Sequence, residues 1–118
     1  MWFSKLLKAF KKEKGATIAE INAKDKEIIE RNARLAEVFV TLIVDTDLLK
    51  TAKTVCEELR FLICSHKDEV IEKDKMLTVE IERIISLLND TEAPADNEEI
   101  FKLLNKMRAS IKIRNAEL

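Results

Sequence analysis

The chain has 118 residues, one glycine, one proline, no tyrosine, 36% charged residues and a net charge of −1. That length allows one domain with a modest core. So little glycine and proline excludes a fold built on tight hairpin turns, and it leaves amphipathic helices with solvated outer faces as the expected material.

The charge is unevenly placed. Residues 1–14 carry five lysines and one glutamate, for +4, and the remainder carries 16 basic and 21 acidic residues, for −5. An acidic body with a basic tip lacks the continuous positive surface that phosphate neutralisation needs, so no nucleic-acid partner is expected. The tip alone suits an anionic membrane surface or an acidic partner.

Taken in chain order, residues 2–13 predict a short helix. Trp2, Phe3, Leu6, Leu7 and Phe10 fall within an arc of about 140° at the helical angular step, and Lys5, Lys8 and Lys12 lie opposite. Gly15 should end this helix, which sets residues 1–15 apart as a basic amphipathic unit ahead of a bundle over 16–118. Aromatic residues set against a lysine face are the physical pattern of a helix that lies in a membrane interface. Three occupants remain open for its apolar side: an anionic membrane, the chain's own fold or a copy of it, and the groove of another protein.

Thr17 and Glu20 form a capping-box pattern that starts the next helix. From there Ile18, Ile21, Asp25, Ile28, Asn32, Leu35, Phe39 and Leu42 recur in steps of three and four, a heptad seam interrupted by two polar residues. Ile21, Asp25, Ile28, Asn32, Leu35 and Phe39 are therefore the candidate oligomer seam. There Asn32 would fix register between two copies, or would face water if the stripe is shifted. Val38–Val44 is apolar on every side and rich in β-branched residues, yet the seam runs through it and favours helix. Asp45-Thr46-Asp47 could cap a new helix or lie within a continuous one. The following face collects Leu48, Leu49, Ala52, Val55, Cys56, Leu59, Leu62 and Ile63. Ser65 and Asp68 suggest a weaker cap before a helix with Val70, Ile71, Leu77, Ile81, Ile84, Ile85 and Leu88. Residues 89–95, with Pro94, read as a loop. A last helix spans about 96–115, opened by Asp96 and buried along Ile100, Phe101, Leu103, Leu104, Met107 and Ile111, with Lys112 and Arg114 near its end as the helix dipole prefers. The expected fold is all-α, a small bundle or set of long antiparallel helical hairpins with a coiled-coil-like seam.

Chemistry is sparsely represented. Cys56 and Cys64, eight residues apart, would stand about 12 Å apart along a single helix, too far to bridge, and they suit small core residues in a reducing compartment. His66, the only histidine, begins a predicted helix with no catalytic companion. Glu27 with Glu30, and Glu69 with Glu72, have the spacing of helical carboxylate metal sites. Neither has the histidine or the downstream aspartate that such sites add, and both lie beside lysines. One glycine cannot make a phosphate-cradling loop. No enzyme, metal or cofactor is expected. With no secretory signal and no apolar stretch near the ~20 residues of a membrane span, the expected location is cytoplasmic, with peripheral attachment at the membrane. The composition points to a non-catalytic, self-associating helical interaction or adaptor protein whose tip docks on an anionic membrane or a protein partner. The alternative is a small regulator or inhibitor, of the phage-modulator kind, that binds a host protein through its acidic helical surface.

Overall fold

The computed structural model describes residues 17–90, 92 and 96–118. The amphipathic helix expected over residues 2–13, with all eight of its candidate docking residues, lies outside them. Four helices make up the described fold, and none of them is long and apolar enough to cross a membrane.

Helix α1, Ile18–Leu42, begins where the capping pattern places it: the Thr17 hydroxyl accepts the Glu20 amide at 3.1 Å. It buries Ile21, Asp25, Ile29, Asn32, Ala36 and Phe39, one stripe in steps of three and four. The open question at Asp45 is answered by a break. Ile43 leaves the helix in an extended conformation suited to a β-branched residue, and Asp45 caps α2, Thr46–Arg60, by accepting the Leu48 amide at 2.9 Å. The resulting turn joins α1 and α2 as an antiparallel hairpin.

α2 ends sooner than its periodicity suggests. Leu62 and Ile63, expected on its apolar face, lie past its end at Arg60, and Ile63 is 67% exposed. Cys56 and Cys64 therefore do not share a helix, and both are free thiols. Residues 62–67 have no regular structure. Helix α3, Asp68–Asn89, starts without a side-chain cap, because the Ser65 hydroxyl accepts the Lys67 amide at 3.0 Å and stabilises the preceding turn instead. Asp68 and Glu69 in its first turn still favour the positive end of the helix dipole. Helix α4, Asn97–Ala116, is capped by Asp96, which accepts the Glu98 amide at 3.0 Å. Its buried stripe is Ile100, Leu104, Met107, Ile111 and Arg114. Phe101, expected in that stripe, is 45% exposed, and Leu103 is half-buried.

Each helix packs on two others: α1 on α2 and α3, and α4 on α2 and α3. Contacts such as Ile21 with Ile71 and Asn32 with Asp74 advance together along both chains, so α1 and α3 run parallel. Asp74 with Arg114 and Arg83 with Glu99 run in opposite order, so α4 is antiparallel to α3. Two helical hairpins thus pack side by side, and residues 61–67 cross the bundle diagonally from α2 to α3. The main apolar core joins all four helices through residues such as Phe39, Leu59, Ile81, Ile84 and Leu104, all at 0% exposure. A second, smaller apolar cluster of Ile21, Ile71 and Ile28 lies toward the N-termini of α1 and α3.

Candidate functional site

Because α2 stops at Arg60, the end of the bundle containing the start of α1 has, among the described residues, three helices and a crossing segment without regular structure. Such backbone inside a bundle carries amide and carbonyl groups with no helical partner, and burial requires that they be satisfied. Polar side chains from the helices do this. Asp25 of α1 accepts the Ser65 amide through Oδ2 at 2.8 Å, and Arg114 of α4 donates from Nη2 to the Ile63 carbonyl oxygen. The crossing segment is thereby held from both sides.

Arg114 also forms a two-pronged pair with Asp74 of α3, Nε to Oδ1 at 2.8 Å and Nη2 to Oδ2 at 3.2 Å. Its Nη1 donates to Asn115 Oδ1 at 3.0 Å, and Nη2 lies 3.6 Å from Asp25 Oδ2. Asn32 donates from Nδ2 to the Asp74 carbonyl oxygen at 3.0 Å and accepts the Thr78 hydroxyl. Asp25, Asn32, Asp74 and Arg114 are each at 0% exposure, and Ser65 is buried beside them. The planar guanidinium suits this role: it keeps its charge and serves two partners in fixed directions.

Charge does not balance within this centre. Two carboxylates face one guanidinium, and Asp25 Oδ1 has no hydrogen-bond partner among the described residues. Burial pushes the Asp25 carboxyl up to about 7, helped by the neighbouring Asp74 carboxylate, against the lowering effect of the Ser65 amide and Arg114. What the arrangement can do chemically is hold a proton and fix the register of α1, α3, α4 and the crossing segment. With every member sealed, no substrate reaches it.

The six seam candidates divide on this geometry. Ile21, Asp25, Asn32 and Phe39 are buried inside the chain's own bundle, while Ile28 and Leu35 are half-buried at its margin. The polar seam positions find their partners on α3, α4 and the crossing segment of the same chain, so this face of α1 is already covered without a second copy. Asn32→Leu is accordingly expected to remove the bonds to Asp74 and Thr78 and to destabilise the fold by ~1–3 kcal/mol. Light scattering should give an unchanged mass, and a changed mass would restore the intermolecular seam.

His66 is exposed, as are Glu27, Glu30, Glu69 and Glu72. Among the described residues no three histidine, cysteine or acidic side chains stand close enough to hold one metal ion. Burial raises the thiol of Cys56 in α2, the direction away from a reactive thiolate. Sequence reasoning missed Asp74, Arg114 and Ser65. Asp74 and Arg114 do occupy stripe positions, three residues after Ile71 and Ile111, the same sign that marked Asp25 and Asn32. In comparisons with known proteins, no family model, curated protein or solved structure matches this chain.

Proposed function

We propose that this chain is a helical interaction protein in which the four-helix bundle carries the basic segment 1–15 as its docking element, with an anionic membrane surface as the target. The observation that carries this is the segregation of charge and aromatic residues. A net +4 and the arc of Trp2, Phe3, Leu6, Leu7 and Phe10 sit in the first 14 residues, ahead of a body at −5. The bundle supports the proposal by burying the main stripes of its four helices against one another, so that its core forms among the described residues themselves. Trp2 and Phe3 favour the headgroup region, and each lysine near an anionic surface contributes about 1 kcal/mol. A segment of this length binds weakly and reversibly on its own. Self-association, which would join two segments and raise avidity, would need a surface other than the covered face of α1.

Co-sedimentation with vesicles tests this directly. The full chain should pellet with vesicles rich in phosphatidylserine, stay in solution with purely zwitterionic ones, and be released as salt rises. A chain lacking residues 1–14 should remain in the supernatant throughout. Equal sedimentation of the two chains overturns the membrane target. Salt-sensitive capture of a protein by the truncated chain would favour the alternative of a regulator acting through its acidic bundle.

A further inference from the structure

We propose that the folded bundle keeps a proton on the Asp25 carboxyl, and that this proton locks the crossing segment 61–67 onto the helices, so that its loss loosens this end of the molecule while the apolar core stays closed.

The case begins with charge. Asp74 is matched by Arg114 in a two-pronged pair at 2.8 and 3.2 Å, which leaves Asp25 as the surplus acid. An uncompensated carboxylate at 0% exposure is strongly unfavourable, and protonation is the least costly remedy. Among the described residues, the groups facing Asp25 offer no other. From α3 it meets Asp74, which is acidic, and from α4 it meets Arg114, already shared with Asp74 and the Ile63 carbonyl. From the crossing segment it meets the Ser65 amide; His66 is exposed, and Lys67 reaches away to the carbonyl oxygens of Glu117 and Leu118, both at 3.1 Å. α2 ends before this level, with Arg60 turned to Glu37 at 3.0 Å. Asp25 Oδ1, the one oxygen of the pair without a donor among the described residues, is the natural seat for the proton, where it becomes an O–H donor.

The consequence for the segment follows from which atoms Asp25 touches. Its Oδ2 holds Ser65, and Arg114 holds Ile63, so opening the segment is what admits water to the surplus charge. Once solvated, Asp25 ionises like an ordinary aspartic acid. The folded carboxyl, held up to about 7, retains its proton over a range in which the open form has lost it. The lock is therefore complete in acid below the ordinary aspartate range. It weakens about tenfold per pH unit as pH rises toward neutrality, and it changes no further above about 7.

Amide hydrogen exchange at Ser65, corrected for the intrinsic pH dependence of exchange, reads this opening. Between pH 5 and pH 8 the opening constant should rise about 100-fold, while amides of Val55 and Leu104 in the main core, which open only with the whole fold, should stay far better protected than Ser65 at every pH. Asp25→Asn mimics the protonated acid, with an oxygen for the Ser65 amide and an N–H for Asp74, and should flatten the profile to within about twofold. A second measurement uses the unmodified chain and so does not depend on the variant folding. Refolding from urea in weak buffer near pH 6 should take up close to one proton per chain. A flat Ser65 profile in the unmodified chain, the same slope in Asp25→Asn, or no proton uptake on refolding each overturns the proposal.

Discussion

Arg114→Met is expected to cost ~3–5 kcal/mol, a large share of the stability of a domain this size. The substitution keeps length and apolar volume, so the loss is electrostatic. Asp74 would lose its only described charge partner, and the Ile63 carbonyl would lose its donor, all at a place closed to water. Urea unfolding followed by circular dichroism measures the effect. The comparison that gives the number meaning is Arg108→Ala. Arg108 also pairs with an acid, Glu58, at 3.0 Å, but the two side chains are 39% and 29% exposed, and solvent screening reduces such a pair to ~1 kcal/mol or less. Similar losses in the two variants would mean that the centre is wetter than its geometry indicates.

Replacing the whole charged set by apolar residues raises a different question. Buried ion pairs in other proteins can be exchanged for apolar groups at no loss. Here the carboxylate and guanidinium also satisfy the backbone of the crossing segment, so an apolar Asp25, Asp74 and Arg114 replacement would strand the Ser65 amide and the Ile63 carbonyl. That dependence on irregular backbone explains why polar residues occupy stripe positions at this end of the bundle and apolar ones elsewhere.

The same dependence explains what the sequence could and could not disclose. Helix starts at Thr17 and Asp96 were legible because capping is local: the side chain bonds an amide two or three residues on. The break at Asp45 was visible as a choice, and only packing of α2 back onto α1 decides it. The end of α2 was illegible because Leu62 and Ile63 continue the helical spacing. Periodicity reports which residues could share a face and says nothing of whether tertiary structure needs a helix there. The polar positions Asp25 and Asn32 stand out in the seam pattern, but their partners lie some 40 residues away in sequence, at Ser65 for Asp25 and at Asp74 for Asn32. A heptad pattern cannot distinguish a partner on another copy from one on a later helix, because both demand the same stripe. Reading Asp74 and Arg114 as further polar stripe positions would have supplied candidates, since two acids and a base at such positions suggest one another.

Phe39→Ala puts that distinction to a direct test. Phe39 lies at 0% exposure in the main core with Ala36 and Ala52, also at 0%, as small neighbours. Alanines, one on α1 itself and one on α2, leave little side chain to swing into the space of a missing ring, so the cavity should persist and cost ~3–5 kcal/mol. With a urea dependence of about 1–3 kcal/mol per molar, the unfolding midpoint should fall by roughly 2 M. Val38, next in sequence and 43% exposed on the outer side of α1, supplies the control, and Val38→Ala should stay within about 1 kcal/mol. The deciding variable is protein concentration. A residue in the core of a single chain lowers the midpoint by the same amount at every concentration, whereas a residue in a seam between copies couples unfolding to dissociation and makes the midpoint rise with concentration. The packing of Phe39 within its own bundle requires the first outcome, and a midpoint that climbs with concentration across a hundredfold range would return the α1 stripe to the intermolecular role its heptads suggest.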